Sequence, residues 1–374
     1  MKPINPLLII SGILAASSAQ ASFQPLLGSD LNNQSLYASG YITMGARTSV
    51  NGNIQSAAAI TLGANANVGG NVEAGTTVTL GASAGVDGYL QAVTTATIGA
   101  SSNVDGDIMA GTTVTIGATV EVDGNVTAGT TVTVGAGSIF HKNVDAGTTT
   151  TIGAGVQIEG ELTAYSMQVG DIPILVNKAD LITSVQTTIK ALGTGTELVS
   201  TAFGTNDEVL EAGIYSSINY LTIAIGKTLT LDGKGIDGSW VFNIANYLSF
   251  AANSKVVLEN VTHNSSIIWN VLGDKLGATG YTQLGVGAEV RGYIFAKGYV
   301  QTGANSLIAG IGNDCGGAYS ANNFIQFGAD SLVGHTGCTN GVVTAPTEVS
   351  EPTSIWLLAT GFLGLAVNTR RKKA

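Results

Sequence analysis

The chain has 374 residues, 51 of them Gly and 6 Pro, with 44% hydrophobic and 11% charged residues and a formal net charge of −10. So apolar a composition excludes a disordered chain, and Gly in this amount with so little charge points to a packed, turn-rich β protein. Without Lys2 and the basic run at 370–373, 10 Lys and Arg face 25 Asp and Glu with no basic cluster, which excludes nucleic acid and anionic surfaces as partners.

Residues 1–21 read as a signal peptide: Lys2, an apolar run from Leu7 to Ala16, and Ala19-Gln20-Ala21 as the cleavage site. The mature chain then starts near Ser22 after signal peptidase, and the protein is exported; the alternative is a buried N-terminal strand. Residues 22–39 are expected to form an N-terminal cap.

Residues 40–165 repeat. Ile42-Thr-Met-Gly-Ala returns as Ile60-Thr-Leu-Gly-Ala, Val78-Thr-Leu-Gly-Ala, Ala96-Thr-Ile-Gly-Ala, Val114-Thr-Ile-Gly-Ala, Val132-Thr-Val-Gly-Ala and Thr150-Thr-Ile-Gly-Ala, each 18 residues after the last. A fixed short period means units that stack on their neighbours. Even-numbered positions such as Val104, Gly106, Ile108, Ala110, Thr112, Val114, Ile116, Ala118 and Val120 are small or apolar. Period-two alternation predicts strands with that set facing in, and an even repeat keeps the parity from coil to coil. The fold expected is an all-β, three-sided β-solenoid of about 18 residues per coil, about six per side. In repeat grammar, Val104-Asp-Gly-Asp-Ile and Val122-Asp-Gly-Asn-Val are similar to the bactofilin and polymer-forming solenoids.

The odd positions then point outward. Thr77 and Thr79, Thr95 and Thr97, Thr113 and Thr115, Thr131 and Thr133, and Thr149 and Thr151 form two files, the second extended by Thr43 and Thr61. Stacking sets neighbours in a file about 4.8 Å apart and the files about 6.6 Å apart. β-Branched Thr is stiff at χ1, so the grid is regular. It resembles the Thr-x-Thr faces of hyperactive β-helical antifreeze proteins, which implies ice as the partner; the alternative is that Thr merely suits an exposed strand. A second outward column, Asp87, Asp105 and Asp123, continues as His141 and Glu159. Each Asp precedes Gly, an ordinary corner pair, so no metal or other cofactor is expected there.

After a connector at 166–177, residues 178–193 place Leu181, Ile182, Val185, Ile189 and Leu192 on one helical stripe ending at Gly193. The helix is expected to lie along the solenoid and cover an apolar side. Residues 194–345 carry Gly213-Ile-Tyr215, Leu229-Thr-Leu-Asp-Gly233, Trp240-Val-Phe-Asn-Ile244, Val256-Val-Leu258 and Ile268-Trp-Asn-Val271. With the helix before them, these segments are similar to the bacterial and fungal ice-binding-like domain. The resemblance implies a discontinuous right-handed three-sided solenoid flanked by one long helix, with some coils before the helix and the rest after it. Its ice face has no fixed motif to carry over; Thr222, Thr228 and Thr230 are exposed-strand candidates. Cys315 and Cys338 are expected to form one disulfide, since an exported chain meets an oxidising compartment. His141, His263 and His335 are far apart and near no nucleophile motif, so no enzyme is expected.

Residues 346–374 join Glu351-Pro352 to an apolar stretch, Ile355 to Val367, and then to Arg370, Arg371, Lys372 and Lys373. This pattern resembles the PEP-CTERM sorting tail of Gram-negative bacteria, with Ser350 where the first Pro would stand. It implies transient anchoring in the inner membrane and processing by an exosortase; the alternative is a short membrane anchor. The function expected is ice binding at the cell surface or outside it, against a surface or biofilm-matrix scaffold that contacts extracellular polysaccharide.

Overall fold

The computed structural model describes Leu31, residues 33–164, 175–199 and 203–335 except 264, 275, 276, 278 and 313, with Cys338 and the strand pair Phe23–Pro25 and Thr344–Pro346. Apart from Phe23 and Pro346 these fall in one compact unit, Gln24–Ala345; the other unit is Met1–Phe23 with Pro346–Ala374. The signal-peptide and sorting-tail readings and most of the connector lie outside the described residues. Among the described residues, no helix is long and apolar enough to cross a membrane.

Three parallel sheets of 12, 13 and 14 strands form the three sides of a prism. One coil shows how the sequence builds them. Thr113–Ile116 lies in the first sheet, Glu121–Val122 in the second and Val126–Ala128 in the third. Val114, Ile116, Val122, Val126 and Ala128 point in and are buried. The next coil pairs in the same register, Thr113 with Thr131 and Ile116 with Val134, because an 18-residue unit returns every side chain to its own file. Each buried aliphatic side chain contributes about 1.5–3 kcal/mol on transfer, so stability accumulates coil by coil.

Two local devices hold the corners. Between the first and second sheets one residue per coil adopts positive φ: Asn65 (56°), Ser83 (56°), Ser101 (61°), Thr119 (56°), Gly137 (70°) and Gly155 (70°). Only Gly and Asn advertise that conformation in the sequence. Between the second and third sheets a ladder of side-chain oxygens accepts backbone N–H groups one coil on. Asn53 takes Asn71 (2.8 Å), Asp107 takes Asn125 (2.7 Å) and Asn143 takes Glu161 (2.9 Å).

The order of coils is not the order of the chain. The first coil, Gln34–Ala38 with Ile42–Met44 and Ser49–Val50, sits in the middle of the stack. On one side it pairs with the second repeat, Ile42 with Ile60. On the other it pairs with the last coil of the chain, Leu36 with Ala318, Ile42 with Ile325 and Ser49 with Leu332. Gln34–Ala38, placed by the repeat alone in a cap, is thus a full rung with neighbours on both sides. Arg47 clasps Asp330 across this seam, Nε to Oδ1 at 2.6 Å and Nη2 to Oδ2 at 2.7 Å, and Tyr319 donates to the Gln34 carbonyl at 2.6 Å. The array winds away from the seam, and the second half winds back to it from the opposite end.

The second half packs larger groups. Phe242 stacks on Trp269 at 4.1 Å inside the solenoid and Phe250 meets Trp269 edge-on at 5.3 Å. The helix, α1 (Ala179–Ala191), lays Ile182, Val185 and Ile189 on Tyr37, Ile214, Val241, Ile268, Phe295 and Tyr319 of the third sheet, with Leu181 and Leu192 at the edge. Gln186 belongs to that stripe too. Its Nε2 donates to the carbonyls of Val271 (2.9 Å) and Phe295 (3.2 Å), and Asn270 Nδ2 returns a bond to the Gln186 carbonyl (3.0 Å). Gly193 closes the helix at φ 120°. Cys315 and Cys338 are joined, with sulfurs 2.09 Å apart.

Candidate functional site

The first sheet carries the expected Thr residues on its outward side. Thr77, Thr95, Thr113, Thr131 and Thr149 are successive register partners, as are Thr43, Thr61, Thr79, Thr97, Thr115, Thr133 and Thr151. Between them Val78, Ala96, Val114 and Val132 are buried, so the alternation pins every Thr outward. The files therefore run at the strand spacing of about 4.8 Å. Thr97, Thr115 and Thr133 are partly exposed on that side.

A third Thr file was not legible as a site. Even parity assigns Thr112 and Ala118 to the interior, but both are exposed. The chain turns at each, Thr112 between the third and first sheets and Ala118 between the first and second, and a turn breaks the period of two. Thr112 Oγ1 donates to the Thr94 carbonyl (2.7 Å), Thr130 to Thr112 (2.7 Å), Thr148 to Thr130 (2.9 Å) and Thr94 to Thr76 (2.8 Å). Each hydroxyl is thereby locked, one coil on the next, and Thr95 Oγ1 lies 3.4 Å from Thr112 Oγ1. The signal was the doubled Thr of the repeat, which needs two roles: the first Thr fixes the corner and the second faces out. On the far side, Ala82, Ala100, Ala118 and Ala136 add exposed methyls. The resulting surface is uncharged and several files wide.

Toward and past the seam the same two files change chemistry. The first passes through Ala59 to Tyr41 and then, across the seam, to Phe324, Tyr299, Tyr281, Tyr247 and Tyr220, a ladder of parallel rings 4.9 to 5.0 Å apart. The second continues from Thr43 as Gln326, Gln301, Gln283, Ser249 and Thr222. Burial and, next, the neighbouring phenols push the hydroxyls of Tyr247 and Tyr281 above the ordinary 10.0; burial does the same for Tyr299. Thr228 and Thr230 lie on the second sheet, apart from both files.

The acidic column gathers around His141. Its Nδ1 is 3.0 Å from Glu159, and its Nε2 is 3.2 Å from Glu121 and 3.7 Å from Asp123. The hydrogen bonds to Glu159 and then Glu121 raise its pKa above the usual 6.5. When protonated, the ring donates to Glu159 on one side and to Glu121 on the other. Glu121, Asp123 and His141 lie close enough to share an ion, but all are at least partly exposed and their ring nitrogens and oxygens are turned to one another. Asp87 is raised by partial burial and then by the charge of Asp105. Elsewhere His335 Nε2 lies 2.9 Å from the Gly312 carbonyl, and a Cβ at Gly312 would stand 3.0 Å from His263 Nδ1. Folding thus brings together two histidines that the sequence separates.

Residues 140–313 match the family described as ice-binding-like. That span takes in the last coils of the array, α1 and most of the second half, and leaves out the seam and the first repeats. Among solved structures, an ice-binding protein from an Antarctic biological consortium superposes with a TM-score of 0.43 at 14% identity, over 84% of this chain and 93% of its own. A glycosylated ice-binding protein from an Arctic yeast gives 0.43 at 14%, over 89% and 100%. One from an Antarctic bacterium of the Flavobacteriaceae gives 0.34 at 15%, over 85% and 99%. No curated protein matches.

Proposed function

We propose that this chain is an exported, surface-held ice-binding protein that adsorbs to ice through the Thr grid of the array and slows ice growth or recrystallisation. The observation that carries the reading is the pair of outward Thr files in coil-to-coil register, backed by buried aliphatics and bordered by a third, hydrogen-bonded Thr file. The family match over residues 140–313 supports ice as the partner. Stiff side chains on a repeating lattice hold first-layer water in fixed places, so little ordering remains to be done on contact. Each contact is weak and affinity grows with the number of coils. No step makes or breaks a covalent bond, and no cofactor enters.

Export by the signal segment, and retention through a tail processed by an exosortase in a Gram-negative cell, belong to the same proposal and rest on the residues at the two ends. The test is inhibition of ice recrystallisation by the purified protein, wild type against Thr97→Tyr/Thr115→Tyr/Thr133→Tyr, with circular dichroism on both. Bulky rings in the middle of the grid should abolish inhibition while the spectrum stays unchanged. Full activity in the folded variant moves the site to the second half. An inactive wild type returns the scaffold reading.

A further inference from the structure

We propose that the second half of the first sheet is a binding strip for a neutral linear polysaccharide, distinct from the Thr grid and independent of whether that grid binds ice. The strip offers two parallel rails. One is the row of phenols Tyr247, Tyr281 and Tyr299, whose ring centroids stand 5.0 Å apart. The other is the row of amides on Gln283, Gln301 and Gln326, carried on paired strands at about 4.8 Å. The rails touch where Gln283 Nε2 donates to the Tyr299 hydroxyl at 3.3 Å, and within the amide rail Gln301 Nε2 donates to Gln326 Oε1 at 3.4 Å. Beside the amides runs a shallow ledge floored by Ala251, Gly285 and Gly303. At Gly303 a Cβ would stand 2.6 Å from the Val286 nitrogen, so that position of the ledge carries no side chain.

These features select the ligand. Ring faces in the ladder are taken by neighbouring rings, so the strip presents rims and hydroxyls and gives no platform for a flat aromatic ligand. Phenols and amides both donate and accept, so the partner must repeat neutral donors and acceptors along a line. The outward positions on this stretch, Thr222, Ser249, Gln283, Gln301 and Gln326, carry no charge, and the chain as a whole is acidic, which disfavours an anionic polymer. Ice suits the strip poorly. Gln turns about several bonds and loses rotamer freedom when fixed, whereas Thr is already stiff. A hydrated glycan chain with neutral hydroxyls along both edges meets both rails, and its rings lie against the ledge.

The test is affinity electrophoresis of the purified protein in native gels containing hydroxyethyl cellulose, dextran or laminarin, with alginate as the anionic polymer. The expected result is retardation by at least one neutral polymer and none by alginate. Gln283→Ala/Gln301→Ala/Gln326→Ala should weaken it at least about tenfold. Tyr247→Phe/Tyr281→Phe/Tyr299→Phe keeps the stack, loses the hydroxyl rail and should weaken it in part. Thr97→Tyr/Thr115→Tyr/Thr133→Tyr should leave it unchanged, which separates this strip from the ice reading. Retardation by no neutral polymer, retention by alginate alone, or wild-type binding by the Gln variant would each overturn the proposal.

Discussion

The two halves of this solenoid reach one cross-section by different means. In the array every coil is 18 residues and the interior is filled by Val, Ile, Leu and Ala, with Met44 and Phe140 the exceptions. In the second half equivalent positions fall at Leu221, Leu248, Thr282, Val300 and Ile325, so coils differ in length, and the interior holds Trp240, Phe242, Phe250 and Trp269. Regularity gives the array a lattice of identical outward groups. Irregularity gives the second half a helix, a disulfide and a fixed three-dimensional core that a repeat cannot supply.

Removing equal lengths from each half sets that difference against experiment. Deleting residues 94–111 joins equivalent points of the array, and we expect a folded protein with an unchanged β spectrum and a thermal midpoint lowered only slightly. Deleting residues 282–299 also removes one 18-residue coil, but it takes Tyr293 and Phe295 from beneath α1. Loss of the cooperative transition is expected there, since several buried aromatic contacts at about 3–5 kcal/mol each are lost together. Equal tolerance of the two deletions would refute the contrast.

A smaller effect separates α1 from the array. Gln186→Ala removes two buried side-chain hydrogen bonds, to the carbonyls of Phe295 and of Val271, the latter keeping the Lys297 N–H, and should lower stability by about 1–3 kcal/mol in urea titration. Smaller still is the response to alkali. Tyr247, Tyr281 and Tyr299 have folded pKa values above the ordinary 10.0. A raised value means the neutral form is favoured by folding, so their contribution is complete below about pH 10 and is lost as pH climbs through the raised values. The wild type should therefore lose more stability between pH 9 and 11 than Tyr247→Phe/Tyr281→Phe/Tyr299→Phe, measured by thermal melts at about those values; an equal loss would place the alkaline sensitivity elsewhere.

Legibility in the sequence followed the same division. In the array the period of 18 and the parity of two read off the three sides and the outward Thr files, because each unit repeats its own chemistry. Parity failed only at corners, where Thr112 and Ala118 turn outward and where Ser83, Ser101 and Thr119 adopt a backbone conformation their identities do not announce. The seam was hidden because Arg47 and Asp330, or Ile42 and Ile325, meet by parallel pairing across most of the chain, and nothing local encodes that. The aromatic ladder was written as Gly40-Tyr41, Asn219-Tyr220, Asn246-Tyr247, Gly280-Tyr281, Gly298-Tyr299 and Asn323-Phe324. Its spacing varies with coil length, so a search at fixed period passes over it. Gln186 was masked by its type, a polar residue that is buried because the carbonyls of Val271 and Phe295 on the third sheet accept its amide.

The most direct measurement of the central claim is adsorption to ice itself. A slowly growing polycrystalline ice surface is exposed to the protein and the fraction taken into the ice is measured for the wild type, Thr97→Tyr/Thr115→Tyr/Thr133→Tyr, and Gln283→Ala/Gln301→Ala/Gln326→Ala. The wild type and the Gln variant are expected to be incorporated and the folded Thr variant excluded. Incorporation of the Thr variant at the wild-type level would contradict it.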